Sequence, residues 1–134
     1  MGNLFKKKEI FKVKSIPIDP TSITEPVTSD DYQKRGMAFY ARRQYDAAEG
    51  DLKKAVSLDS NNLDANYSLG MVQKALGKKD EATGSFNRVL ELISSYPAPS
   101  NSKYDMLRRL ALGHVNEISQ GDWNLEKEIW KHIA

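Results

Sequence analysis

Residues 34 apart in this chain match one another. Gly36 recurs as Gly70, Asp46 as Asp80 and Ala48 as Ala82. Leu52 and Phe86 are both large and apolar, as are Leu58 and Leu92, and Ala55 pairs with Val89. A repeat of this length constrains the fold more than composition does. It holds two helices and a turn, and one helix pair cannot bury both of its faces. Neighbouring pairs must stack to share a core, and about three pairs are needed for independent stability. The residue types fit that packing. Gly36 and Gly70 let the two helices of a pair approach closely, and Ala48 and Ala82 do the same from the opposing helix. Phe39, Leu52, Leu69 and Phe86 fill the space between.

From Ser29 onward apolar residues recur at helical spacing, with no period-2 run. Ser29, Asp30 and Asp31 offer N-cap oxygens and early negative charge at a helix start. Polar and glycine punctuation at 42–44, 59–62, 77–79, 96–101 and 120–122 leaves six predicted helices, about 30–42, 45–58, 62–76, 79–95, 103–119 and 123–133. The expectation is an all-α body. Upstream, Pro17, Pro20 and Pro26 push their neighbours toward extended geometry, so residues 15–28 read as a linker without a helix. The chain therefore divides into an arm, 1–28, and a helical domain, 29–134, with units at about 29–62, 63–97 and 103–134.

The two units from Tyr32 resemble the tetratricopeptide repeat family. The family pattern reads Tyr32-x2-Arg35-Gly36-x2-Phe39 then Ala48-x3-Leu52, and again Asn66-x2-Leu69-Gly70-x2-Gln73 then Ala82-x3-Phe86. Leu58-Asp59-Ser60-Asn61-Asn62 looks like the inter-repeat turn, with Ser60 where the family usually has proline. A divergent third unit follows at Leu112-Gly113 and Leu125-x3-Ile129, nine residues late, with the proline-containing loop at 97–101 absorbing the excess. The resemblance implies three helix-turn-helix units stacked as a short right-handed solenoid, with an extended N-terminal arm.

The resemblance also implies a concave side lined by the first helix of each unit. Equivalent positions there are Gln33, Tyr67 and Leu110; Met37, Met71 and His114; Tyr40, Lys74 and Glu117. Tyrosine supplies rigid amphipathic contact area and methionine adaptable contact, which suits a peptide-binding groove; the alternative is that the same residues pack on neighbouring helices or on the chain's own N-terminal segment. A subset of the family grips C-terminal carboxylates with Lys, Asn and Arg. Here those places hold Gln33, Met37, Ser68, Leu107 and Ala111, so that grip is absent. In the last helix Trp123, Leu125, Ile129, Trp130 and Ile133 spread wider than an ordinary surface stripe. Trp123 and Trp130 are candidate anchors for a partner or another copy, or else close the intramolecular core.

Charge is uneven. Residues 1–14 hold Lys6, Lys7, Lys8, Lys12 and Lys14 against Glu9, whereas 29–134 hold 15 charges of each sign. A neutral body argues against a nucleic-acid-binding face. The arm's lysines, with Leu4 and Phe5, fit modest contact with an anionic membrane surface. No run reaches the ~18 apolar residues of a membrane span, no secretory signal is read, and the absence of cysteine excludes disulfides. There is no phosphate-binding loop, and His114 and His132 have no ligand spacing, so neither cofactor nor metal is expected. Glu49, Asp51 and Lys53 read as outer-face residues, and no acid, base and nucleophile converge. The expected function is a non-enzymatic interaction module, a cytoplasmic adaptor or accessory subunit that binds another protein or larger complex. Homo-oligomer formation through the C-terminal helix is a second expectation. The competing reading is a membrane or polyanion tether working through the arm.

Overall fold

The computed structural model describes residues 19–95 and 102–123. Five α-helices follow one another: α1 (Ser29–Ala41), α2 (Tyr45–Leu58), α3 (Leu63–Ala75), α4 (Lys79–Ser94) and α5 (Ser102–Gln120). There is no strand among the described residues. Each helix packs on the next, and α1 also lies against α3, which makes a solenoid of helical hairpins. The sixth helix expected at 123–133 falls outside the described residues except for Trp123, which is not helical. No helix among the described residues is long and apolar enough to cross a membrane.

Local chemistry sets the helix ends. Thr28, rather than Ser29, caps α1: its hydroxyl accepts from the Asp31 N–H at 3.1 Å, and the Asp31 carboxylate accepts from the Thr28 N–H at 3.2 Å. Ser29 instead donates to the Ala55 carbonyl on α2 at 2.7 Å. Asn62 caps α3, accepting from the Ala65 N–H at 3.1 Å, while its amide N–H donates to Ser29 Oγ and Asp30 Oδ1. One side chain thereby starts the second unit and ties it to the start of the first. Each hairpin turn passes through a left-handed residue, Arg43 at φ 60° and Gly77 at φ 77°, and Gly121 at φ 80° follows α5.

The repeat-matched glycines are where the helices touch. A Cβ on Gly36 would lie 2.8 Å from Leu52 Cγ, and one on Gly70 would lie 2.8 Å from the Phe86 ring. Two core clusters result. Ala48, Leu52, Leu69 and Val72 join the first unit to the second; Leu63, Ala82, Phe86, Val89, Leu92, Leu107 and Ala111 join the second to α5.

Two expectations need correction. The linker over 15–28 was read as lacking a helix, yet Pro20–Ser22 forms one 3-10 turn. Asp19 drives it by accepting from both the N–H and the hydroxyl of Thr21, bonds that hold its carboxyl below the usual range. Pro20 is buried, Asp19 reaches Arg42 at 3.9 Å, and the Ile23 carbonyl accepts from Arg35 at 3.2 Å, so residues 19–23 lie on α1. Glu49 and Asp51 were read as outer-face residues, but each is only 8% exposed. Asp51 receives a two-pronged bond from Arg35, Nε to Oδ2 at 2.7 Å and Nη2 to Oδ1 at 2.8 Å. Glu49 is held by Lys78 at 2.8 and 3.0 Å, with the exposed Lys53 at 3.7 Å. Burial of these carboxylates is tolerable because each is paired.

Candidate functional site

One layer of the stack is built by α1, α3 and α5. Gln33, Met37 and Tyr40 stand on α1, Tyr67, Met71 and Lys74 on α3, and Leu110, His114 and Glu117 on α5. Side-chain bonds run across the layer. Gln33 donates to Ser68 Oγ at 3.3 Å, joining α1 to α3. Tyr67 Oη lies 3.1 Å from His114 Nε2, and Lys74 Nζ lies 3.0 Å from His114 Nδ1, joining α3 to α5. Lys74 also pairs with Glu117 at 3.0 Å.

These contacts fix the state of His114. An ammonium has only donors, so Nδ1 must accept, and the ring carries its proton on Nε2, which donates to Tyr67 Oη. The imidazole is stacked on Phe86, with centroids 4.6 Å apart and an interplanar angle of 10°. Burial pushes its pKa down to about 4, Lys74 adds to the shift, and Glu117 opposes it. Burial, and then Tyr40, push the Tyr67 phenol above its ordinary value.

His114 was expected to face a partner. It is instead 7% exposed, enclosed by its own chain, because Phe86 stacks on the ring and Trp123 meets it edge-on. Trp123 was expected on a helix beside Trp130. It sits just past Gly121, with its indole lying on Gly113, where a Cβ would clash with the ring. Its ring centroid is 4.6 Å from that of His114, Lys74 Nζ is 5.9 Å from it, and 37% of the residue remains exposed. Trp130 and the lysines at 6, 7, 8, 12 and 14 lie outside the described residues. Gln33, Met37, Tyr40, Tyr67, Met71 and Leu110 are half-buried, and Tyr67, Met71 and Tyr40 pack their inner edges on the core clusters. Ser68, Leu107 and Ala111 are buried.

Lys74 and Glu117 neutralise each other, and Met37, Tyr40, Tyr67 and Met71 stand half-buried on α1 and α3. Among the described residues no set of three His, Cys, Asp or Glu gathers as metal ligands. The Lys74–Glu117 pair was missed from sequence, although opposite charges at equivalent positions of adjacent units were its signal. The Arg35–Asp51 pair was missed too. Its signal was a joint exchange, because 34 residues later the same two places hold Leu69 and Ser85.

Residues 32–62 and 63–96 each match the family model described as tetratricopeptide repeat. No curated protein matches the chain in sequence. Among solved structures it is similar to the Arabidopsis OM64 TPR domain, at 25% identity and a TM-score of 0.49 over 63% of this chain and 65% of that one. The chain thus spans less than two thirds of that domain's length. It is also similar to MamA, at 22% identity and a TM-score of 0.57 over 86% of this chain and 70% of that one. The second likeness shows the fold.

Proposed function

We propose, from the premise that this chain is built on tetratricopeptide repeats over residues 32–96, that it is a non-enzymatic adaptor or accessory subunit holding a segment of another protein on its inner face. Such repeats are protein–protein interaction modules. One observation carries the finer reading: Gln33, Met37, Tyr40, Tyr67, Met71 and Leu110 stand half-buried on α1, α3 and α5, and Lys74 and Glu117 on the same helices form a pair that cancels its own charge. A face of this kind favours a segment rich in apolar and aromatic side chains over an anionic chain terminus.

Met37 and Leu110 belong to neither core cluster, so charge can be placed there with little effect on the fold. In affinity capture from the native source, Met37→Glu combined with Leu110→Glu removes proteins that the wild type retains, while helical content stays constant. Retention of every captured protein by this variant sinks the reading. Loss confined to a chain starting at Ser29 transfers the function to the arm.

A further inference from the structure

Gly36, Gly70 and Gly113 are closed in two different ways. Leu52 lies on Gly36 and Phe86 on Gly70, and both are 0% exposed. Gly113 is covered by Trp123, which belongs to no helix and stays 37% exposed. Only Asp122 separates Trp123 from Gly121, whose φ of 80° lies in the region that glycine enters without steric cost.

The surroundings of this indole select an aromatic ring. The floor is the bare backbone of Gly113, where any Cβ would clash with the ring. One wall is His114, whose ring meets the indole nearly at right angles, with 79° between planes and 4.6 Å between centroids. That wall is held in place: His114 is stacked on Phe86 and bonded through one ring nitrogen to Tyr67 and through the other to Lys74. Lys74 also places its ammonium 5.9 Å from the indole centroid, within reach of a cation–π contact, and indole is the best acceptor of that contact among side chains. An aliphatic side chain could fill the volume but would use neither the ring edge nor the cation.

We propose that this slot is a recognition site for an indole, held shut in the free protein by Trp123 and opened when a tryptophan of a bound protein segment displaces it. It rests on the adaptor function proposed above for the source of that tryptophan, since Lys74 shares a helix face with Tyr67 and Met71. Trp123 is then a latch. Its departure takes a rotation at Gly121 or about its own side-chain bonds, and it belongs to neither core cluster, so both stay closed. Being tethered, Trp123 competes at an effective concentration in the millimolar range. A partner's tryptophan wins only when neighbouring contacts present it, which makes the latch a filter against stray aromatic side chains.

Trp123→Ala in the full chain leaves the slot open, and indole itself is the probe. The amide signals of Gly113 and His114 should shift saturably, with a dissociation constant on the order of 1 mM, the scale for so small a ligand. The wild type should respond several-fold more weakly, because Trp123 competes. Adding Gly113→Ala to Trp123→Ala puts a Cβ where the ring must lie and should abolish the shifts. Equal shifts in all three proteins, or none in Trp123→Ala, overturn the proposal. A second measurement leaves position 123 intact. Trp130→Phe makes Trp123 the one tryptophan of the chain, and fluorotryptophan incorporated there gives a single fluorine resonance. Millimolar indole should move it toward its position in the unfolded chain; a resonance that stays in place overturns the proposal. Because the probe is indole alone, these results stand apart from the capture experiment with Met37→Glu and Leu110→Glu, which tests the adaptor function.

Discussion

Replacing Arg35 with leucine tests what its pairing with Asp51 does for the first unit. At the equivalent place the second unit has Leu69, 7% exposed and packed on the preceding hairpin. The first unit has no described hairpin before it, and Arg35 there faces the 19–23 segment and Asp51. Arg35→Leu alone leaves the Asp51 carboxylate, whose side chain is 10% exposed, without its two donors. Removing one partner of a fully buried ion pair costs about 3–5 kcal/mol. Arg35 is 23% exposed, so water reaches the site and the expected loss is smaller, about 2–3 kcal/mol. Asp51→Ser alone costs less, about 1–2 kcal/mol, because the guanidinium can turn toward water and still donate to Ile23. Together, Arg35→Leu and Asp51→Ser import the pair found 34 residues later, Leu69 and Ser85. With the orphan charge gone, the double variant should lie within about 1 kcal/mol of the wild type, a coupling of at least ~2 kcal/mol. Urea midpoints for the four proteins, followed by circular dichroism, measure it. Single losses that simply add, within about 0.5 kcal/mol, would refute the reasoning. Both variants lacking Arg35 should also be cleaved sooner near Ile23 in limited proteolysis, because the bond to that carbonyl is gone.

Acid should loosen the inner layer through His114. Its folded value of about 4 lies below the ordinary 6.5, so the unfolded chain binds the proton first as pH falls. Its contribution is complete above about pH 6.5 and drains away between there and pH 4, on the order of 3 kcal/mol in all. His114→Phe, which keeps a ring on Phe86 but cannot titrate, should flatten the urea-midpoint profile between pH 6.5 and 5; a slope equal to that of the wild type would contradict this. Glycines inside helices should respond with opposite signs, according to what surrounds them. Gly70→Ala drives a methyl to 2.8 Å from the enclosed Phe86 ring and should cost about 1–3 kcal/mol. Gly50→Ala and Gly84→Ala, with nothing within 4 Å, should each stabilise by about 0.5–1 kcal/mol in the same assay. Arg43→Gly should stabilise by about 0.5–1 kcal/mol, because a side chain at φ 60° is strained where the equivalent turn already uses Gly77; an unchanged melting midpoint would remove that account.

What the sequence determined by itself was everything with a short range or a fixed period. The 34-residue spacing of Gly36 and Gly70, and of Ala48 and Ala82, set the hairpins and their stacking, because a helix pair can bury its apolar stripe only against a copy of itself. Helix limits were legible to within one or two residues, since caps and left-handed turns act on their immediate neighbours. Tertiary structure alone decided which charges go inside. Asp51 looked solvated because its partner, Arg35, lies on another helix, and Glu49 because Lys78 is 29 residues away. His114 and Trp123 looked available to a partner until α3, α4 and α5 were brought together around them. Burial is a property of what arrives from elsewhere in the chain, and no window along the sequence contains it.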